Sequence, residues 1–284
     1  MQQPIKLPHD GRPTVVGCAG RGPDAVDGTD LVLRRFARFV SLTASDRRYL
    51  TRLVEAAAVH PPRRTVLTEG RPCDCLHLLA GGWAVEYRTL PTGGRQVLRI
   101  RLAGEILGAE CIAYGAALQS VQMLTKGVVA RIPRAEFVAL HTTHPQLVTG
   151  LHLMGLFERA ILQEWTISLG RRPAWSRVAH LLLELDERCR VSGLARISGT
   201  PFPLTQQDLA DCTGLTLTYV NRVLTDMRRK RMIGLRQQEL VILNRDELAR
   251  ASGFQPRYLR PTPPLGPLSG QDAGAAPRPV ASVL

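Results

Sequence analysis

The segment 204–233, LTQQDLADCTGLTLTYVNRVLTDMRRKRMI, restricts the possible folds of this chain more than any other stretch. Thr205 and Asp208 have the spacing of a capping box, which predicts a short helix from Gln206 to about Asp211. Ala210 is small enough to let a second helix approach. Gly214, four residues later, supplies the positive φ that a tight turn between two helices needs. The segment therefore predicts a helix-turn-helix.

The second helix of this pair has two contrasting faces. Thr216 is placed to cap it, and Val220, Val223, Leu224 and Met227 fall on one apolar face. The opposite face carries short hydrogen-bonding groups and an arginine, which suit the reading of base edges in a DNA major groove. We predict that the residues that read bases are Thr218, Tyr219, Asn221 and Arg222.

Polar and basic residues flank the two helices where phosphates of a duplex would pass. The predicted phosphate contacts are Thr205, Gln206, Thr216, Arg228, Arg229 and Lys230. The alternating stretch that follows, up to about residue 242, is typical of a two-stranded wing.

Composition agrees with an anionic partner. The net charge is +13 over 284 residues, and arginine supplies most of the positive charge. Charge alone does not separate nucleic acid from an anionic membrane. No apolar run is long enough for a transmembrane helix, and the first 25 residues lack the apolar core of a secretory leader. The six scattered cysteines indicate reduced thiols, so we expect a cytoplasmic protein.

The rest of the chain divides by pattern. Residues 1–30 and 251–284 are rich in Pro and Gly, which predicts disorder at both ends. Helical spacing over 31–58 precedes short, glycine-punctuated alternating runs over 63–133, which predict a β-sandwich or barrel. Residues 90–96 suit a hairpin turn.

One long helix is predicted from about residue 134 to 169, ended by the GRRP sequence at 170–173. Its apolar positions are spaced 4, 3, 7 and 4, with Glu158 in the missing position of the seam. This near-heptad stripe predicts a dimer contact through Leu147, Leu151, Met154, Ile161 and Trp165. The alternative is that the stripe packs on the barrel of its own chain.

Three segments, 81–108, 167–185 and 204–233, give the sequence a resemblance to the Crp/Fnr family of bacterial transcription regulators. The resemblance covers about 31–250. It implies an α+β chain with a jelly-roll, cyclic-nucleotide-binding-like sensor β-roll over 31–145, a dimerisation helix over 146–170 and a winged helix-turn-helix over 171–250. Its partners would be double-stranded DNA, a second copy of the chain and RNA polymerase.

The family resemblance also implies roles for single residues. Arg222 matches the recognition-helix arginine that contacts guanine in relatives, and Thr216 matches the small hydroxyl residue at the helix start. Leu217 stands where cyclic-AMP-binding members carry another arginine, and Thr218 replaces their base-contacting glutamate. The operator sequence therefore does not transfer from those relatives.

The sensor departs from the cyclic-nucleotide pattern of the family. Ala109 stands where the ribose-binding glutamate is expected, and Gln119 where the phosphate-binding arginine is expected. Losing that arginine removes a charge-assisted bond of roughly 1.5–3 kcal/mol, so tight cyclic-nucleotide binding is not expected. A weak ligand pocket is still predicted at Gly104, Glu105, Gly108, Glu110, Gln119 and Ser120.

The cysteines and histidines raise the question of an iron–sulfur, redox or metal site. Cys18 stands alone near the N-terminus, unlike the clustered thiolates of an iron–sulfur sensor. Cys73, Cys75 and Cys111 could form a redox or metal sensor or be ordinary roll cysteines. His77 is most simply a partly buried strand residue. A metal role for His141, His144 and His152 is disfavoured because no further ligands lie close to them in sequence.

The hypothesis that fits most features is a homodimeric, sequence-specific DNA-binding regulator that is not an enzyme and has no metal or cofactor; its effector is unknown. Two alternatives stay open. One is a small-molecule or redox-sensing β-roll without sequence-specific DNA binding. The other is a cupin-like metal oxygenase, which needs two histidines and a carboxylate in the barrel, where only His77 was expected.

Overall fold

A computed structural model describes residues 28–236, 238–261 and 264. Within them, an N-terminal strand-rich unit is followed by helices and a small C-terminal sheet. The helices are α1 (Gly28–Ala37), α2 (Ala44–Glu55), α3 (Cys111–Tyr114), α4 (Arg134–Thr143), α5 (Pro145–Arg171), α6 (Ala174–Val191), α7 (Gln206–Thr213), α8 (Leu217–Arg229) and α9 (Arg245–Ser252), and a 3-10 helix spans Pro256–Leu259.

The strands form three antiparallel sheets. They are β1 (Ala58–His60), β2 (Thr65–Leu67), β3 (Cys75–Gly81), β4 (Trp83–Thr89), β5 (Arg95–Leu102), β6 (Ile106–Leu107), β7 (Ser120–Met123), β8 (Gly127–Pro133), β9 (Thr200–Pro201), β10 (Ile233–Arg236) and β11 (Glu239–Ile242). Their orders are β1-β8-β3-β6, β2-β7-β4-β5 and β10-β11-β9.

The first two sheets face each other as a β-roll, which confirms the predicted fold class. Alternating side chains from both sheets fill the space between them, including the fully buried Leu79, Leu107 and Met123. The β4–β5 hairpin turns at residues 90–94, within the predicted turn. Gly82 joins β3 to β4 at φ +86°, and a side chain there would meet the Lys126 carbonyl oxygen at 2.6 Å.

The single helix predicted from about residue 134 to 169 is wrong, because the chain breaks between α4 and α5. His144 separates them in a non-helical conformation, with φ −143° and ψ 60°. The cause is Pro145, which disfavours helical geometry at the preceding residue and has no N–H to continue the α4 hydrogen bonds. The His144 ring lies 2.8 Å from a carboxylate oxygen of Asp46, which ties the break to α2.

The predicted dimer seam lies mostly inside the chain. Leu147, Met154, Ile161 and Trp165 are at most 6% exposed and belong to the core shared by α5, the roll and α6, and Leu151 is half-buried against the same core. Trp165 also donates its indole N–H to Glu184 at 3.0 Å. The four buried residues cannot reach a partner, so their assignment to a dimer contact is corrected. Heptad spacing does not distinguish a neighbouring helix of the same chain from one of a second copy.

The helix-turn-helix forms as its sequence signals predict. The Thr205–Asp208 capping box opens α7, and Gly214 ends it at φ +62°. Thr216 Oγ1 accepts the Tyr219 N–H at the start of α8. The wing, β10 and β11, gains a third strand, β9, which the sequence did not signal.

The predicted disorder is wrong at the inner ends of both segments, residues 28–30 and residues 251–261. Residues 28–30 begin α1, and Phe254 and Leu259 are 6% and 1% exposed. Tyr258 donates its hydroxyl to Glu184 at 3.0 Å, and Arg38 donates to the Leu259 carbonyl at 3.1 Å. Averaging composition over the whole tail concealed these few anchoring side chains. The rest of the two predicted disordered segments lies outside the described residues.

A buried ion network joins the roll to α6. Arg188 lies 2.9 Å from Glu105, which precedes β6, and 3.4 Å from Glu184 on its own helix. It also donates to the Ile100 carbonyl of β5 at 2.7 Å. Although burial opposes it, the cations Arg188 and Arg35 hold the pKa of Glu105 down at about 2. The network therefore fixes α6 against the roll.

Candidate nucleic-acid interface

Helix α8 is anchored by one face only. Val220, Val223, Leu224 and Met227 are at most 3% exposed and pack against α6, α7 and the wing. Burying four such side chains fixes the rotation of the helix about its axis, because any turn would carry apolar surface into water. The opposite face therefore has a defined orientation.

The four residues predicted to read bases lie together on that opposite face. Thr218, Asn221 and Arg222 are exposed, and Tyr219 is half-buried. The Arg222 guanidinium stacks 4.5 Å from the centre of the Tyr219 ring, which limits the directions in which it extends. The Thr225 hydroxyl donates to Asn221 Oδ1 at 3.3 Å, and this hydrogen bond orients the Asn221 amide.

A groove of about 910 Å³ runs along this face. It brings residues of α6, α7 and α8 into one concave surface, and hydrogen-bond donors and acceptors project into it. Its lining includes Trp175, Gln206, Leu217, Thr218, Tyr219, Asn221, Arg222, Thr225, Asp226 and Arg229. Leu217, at the N-terminus of α8, is 47% exposed and adds an apolar contact of the kind that suits a thymine methyl group.

The side chains predicted to contact phosphates differ in the hydrogen bonds that they make within the chain. Thr205 and Thr216 use their hydroxyl oxygens to cap α7 and α8, at 3.1 and 3.2 Å. Gln206 lines the groove. Arg228 is exposed, with its Nε donating to the Leu224 carbonyl at 3.2 Å. Of these four residues, Gln206 is the one in the groove lining; the phosphate role of all four stays a prediction.

Sequence reasoning missed Asp226. Its carboxylate pairs with Arg229 at 2.8 Å and Lys230 at 2.9 Å, and it accepts the Trp175 indole N–H at 3.2 Å. The Lys230 hydrogen bond, followed by that of Arg229, lowers the pKa of Asp226. The spacing of three and four residues on one helix was the available signal. Asp226 orients these two cations while lowering the net charge of the rim.

Sequence reasoning also missed Arg95, at the start of β5 in the roll. Its side chain bridges two carboxylates of α7, with Nη2 2.7 Å from Asp208 and Nε 2.7 Å from Asp211. The neighbouring Gln96 amide donates to the Asp211 carbonyl at 3.0 Å. The β4–β5 hairpin of the roll thus holds α7, the first helix of the helix-turn-helix.

The predicted ligand-pocket residues do not converge as expected. Glu105 is 2% exposed and bound by Arg188, so its carboxylate is not available to a ligand, and this assignment is corrected. Ser120 Oγ accepts the Glu69 N–H at 3.1 Å. Burial raises the pKa of Glu110, whose Oε1 has no hydrogen-bond partner among the described residues.

The remaining three predicted pocket residues are Gly104, Gly108 and Gln119. Gly104 and Gly108 adopt positive φ, and the Gly108 N–H donates to Glu86 at 3.4 Å. Gln119 is half-buried. Glu86 in turn pairs with the buried Arg101 at 2.8 Å, so a buried ion pair lies beside Gly108.

The described part of the chain does not support the hypotheses of a metal site. It contains no group of three or more His, Cys, Asp or Glu side chains suited to a metal ion. His141 hydrogen-bonds carbonyls of its own helix, and His144 faces Asp46. Cys73, Cys75 and Cys111 are free thiols, whereas Cys18 lies outside the described residues. His60 also lies in the roll, on β1, which corrects the expectation that only His77 would.

Comparison with known proteins agrees with this architecture. Residues 59–144 match the cyclic nucleotide-binding domain, and residues 176–251 match the Crp-like helix-turn-helix domain. The chain is 28% identical over 232 residues to the transcriptional activatory protein AadR of Rhodopseudomonas palustris, covering 80% of this chain and 91% of that protein. It is 29% identical over 210 residues to the nitrogen fixation regulation protein FixK of Bradyrhizobium diazoefficiens, covering 73% and 86%.

Among solved structures, FixK2 from Bradyrhizobium japonicum shares the fold, with a TM-score of 0.62, 24% identity and coverage of 69% of this chain and 96% of that one. A β-roll joined through helices to a winged helix-turn-helix defines a class of DNA-binding transcription regulators. The chain belongs to the Crp/Fnr family of that class. In the described residues, no helix has the length and apolar character needed to cross a membrane.

Proposed function

We propose that this Crp/Fnr regulator acts in the cytoplasm as a homodimer that binds a pseudo-palindromic DNA operator and contacts RNA polymerase. The observation that carries the proposal is the exposed polar face of α8, held in one orientation by four buried apolar side chains. Thr218, Tyr219, Asn221 and Arg222 would read bases. The rim formed by Thr205, Gln206, Thr216, Arg228, Arg229 and Lys230 would hold phosphates.

A monomer with one such helix reads few base pairs, which supports a dimeric form. Helix α5 offers a surface for it. Leu156 and Ile167 lie on the side of α5 opposite its buried stripe, and Leu162 and Leu169 lie along one flank of that stripe; all four are between 36% and 50% exposed. Four exposed apolar residues on one helix are unusual for a surface that stays in water. We place the dimer contact on this exposed surface of α5.

Replacing Leu162 with glutamate is expected to shift the protein from dimer to monomer, because the carboxylate would be buried against apolar side chains of the second copy. Analytical ultracentrifugation at micromolar concentration measures the change, and operator affinity should fall with it. Val138→Glu is the matched control, since Val138 is 59% exposed on α4 and does not belong to α5. A dimeric L162E protein would contradict this placement of the interface.

Cyclic AMP is expected to bind weakly or not at all. Gln119 cannot neutralise a cyclic phosphate, and the Glu86–Arg101 pair already occupies part of the roll interior. Removing the phosphate partner alone costs roughly 1.5–3 kcal/mol, or about 10- to 150-fold in affinity. Calorimetric titration of the full chain with cyclic AMP tests this. Saturable binding at micromolar concentration would contradict it.

A competition gel shift tests the proposed function as a whole. Fragments of promoters from the same genome are mixed with random duplex competitor at several salt concentrations. A sequence-specific regulator retains some fragments at salt concentrations that release random duplex. Association that is uniformly weak and salt-sensitive would instead favour a β-roll module that senses a small molecule or redox state without reading DNA sequence.

A further inference from the structure

A cavity of about 530 Å³ opens into the roll on the side of β1, β3 and β8, and its lining includes neither α8 nor the Glu86–Arg101 pair. Its second wall comes from β2 and the loop that follows it. This volume is in the range that small-molecule sites usually occupy.

The inner wall of the cavity is apolar. Val66, Leu67, Ala117 and Val129 line it and continue into the packed interior of the roll. Such a wall favours a hydrocarbon group over water or a fully hydrated inorganic ion.

One polar side chain in this wall has a ring nitrogen without a hydrogen-bond partner among the described residues. His77 on β3 is 5% exposed, and its Nδ1 makes no hydrogen bond with any described residue. It pairs directly with Arg131 across the β3–β8 ladder, so both side chains lie on the same face of the sheet. A buried histidine nitrogen without a partner is uncommon in folded proteins and calls for an explanation.

The mouth of the cavity is positive. Arg71 and Arg131 line it on opposite sides together with His60. Burial, followed by the nearby Arg131 cation, lowers the pKa of His77 to about 4. Asp74 is the one acidic residue in the lining, and its carboxylate accepts the Cys75 thiol at 3.3 Å.

We propose that this cavity binds a small organic carboxylate, with the carboxylate held by Arg131, Arg71 and His77 and the hydrocarbon part against Val66 and Leu67. The arginines provide charge-assisted hydrogen bonds that an anion needs in a partly buried site. A divalent metal fits less well, because two arginines would repel it and the described residues offer no cluster of metal ligands there.

Calorimetric titration of the full-length protein tests the proposal with three carboxylates (acetate, hexanoate and benzoate) and two comparison probes (hexanamide and inorganic phosphate). Hexanoate or benzoate should bind saturably, and each should bind more tightly than acetate. Hexanamide, which keeps the chain but lacks the charge, should bind at least about tenfold more weakly than hexanoate. Phosphate should not compete.

Two variants test whether His77 and Arg131 hold the carboxylate. His77→Phe keeps an aromatic ring but removes both nitrogens, and Arg131→Met removes the cation; each should weaken carboxylate binding by about tenfold or more. Arg134→Met, at an exposed site just beyond β8, should bind as the unmodified protein does. Unchanged melting temperature and DNA binding show that a variant is folded, and Arg131→Met remains informative if His77→Phe does not fold.

Failure of all three carboxylates to bind would overturn the proposal. So would equal affinity for hexanamide and hexanoate, or an Arg131→Met protein that binds hexanoate as tightly as the unmodified chain. None of these outcomes affects the proposed DNA-binding function, because the measurement contains no DNA.

Discussion

Replacing Arg188 with methionine is expected to lower the free energy of unfolding by about 3–5 kcal/mol, because it leaves the buried Glu184 without its cation and Glu105 with only Arg35, 3.5 Å away. The side chain of Arg188 is 2% exposed, and those of Glu105 and Glu184 are 2% and 0% exposed. The Ile100 carbonyl would lose its donor as well. Methionine has a similar length, so the loss reports on charge and hydrogen bonding more than on volume.

Urea unfolding followed by circular dichroism measures this effect. The matched control is Arg190→Met on the same helix, since the Arg190 side chain is 56% exposed and pairs with Asp186 at 2.8 Å. Asp186 is buried, but without Arg190 it keeps the Arg245 guanidinium and the Thr200 hydroxyl as partners, so the expected loss is at most about 1 kcal/mol. If both variants lost the same small amount, the buried network would not hold the two parts of the chain together.

The same network predicts how stability depends on pH. The cations around Glu105 hold its pKa at about 2, below its ordinary 4.5. A carboxyl whose pKa is depressed by folding contributes its full stabilisation above about 4.5, and this contribution is lost as the pH falls toward 2. The unmodified protein should therefore lose stability over that acidic range more steeply than Arg188→Met does.

Replacing Arg222 with alanine is expected to remove discrimination at one base pair in each half-site, at a cost of about 1–3 kcal/mol per contact. The residue is exposed on the α8 face, and its guanidinium is preoriented by the Tyr219 ring. Arg222→Lys should lose most of the same discrimination, because an ammonium cannot form two parallel hydrogen bonds to guanine.

Arg229→Ala is the control for this prediction. Arg229 pairs with Asp226 at the C-terminal end of α8, where a phosphate contact is expected. Its loss should weaken operator and random duplex alike and reduce the salt dependence of binding. Fluorescence anisotropy with both duplexes at several salt concentrations separates the two effects. Equal losses on both duplexes for Arg222→Ala would contradict its role in reading bases.

Local signals in the sequence predicted the DNA-binding motif well. The capping box, the turn glycine and the apolar side of α8 each depend on a few neighbouring residues, and the structure forms all three. The roll was predictable for a similar reason, because short alternating strands and turn glycines recur along one continuous stretch.

Long-range pairing was not predictable. The partner of Arg95 lies 113 residues away at Asp208, and that of Arg188 lies 83 residues away at Glu105, so no local pattern indicates either contact. The stripe on α5 was misassigned for the same reason. The apolar periodicity indicates that Ile161 packs against other apolar side chains. It does not indicate whether those side chains belong to the same chain or to a second copy.

The most direct test of the account is selection of binding sites from a pool of duplexes with randomised sequence, using the full-length protein. A homodimer that reads DNA with two copies of α8 should select an inverted repeat whose half-sites are centred about one helical turn, roughly 34 Å, apart. The information at one position in each half-site should disappear with Arg222→Ala. A single unrepeated site, or no enriched sequence at all, would contradict a paired readout by α8.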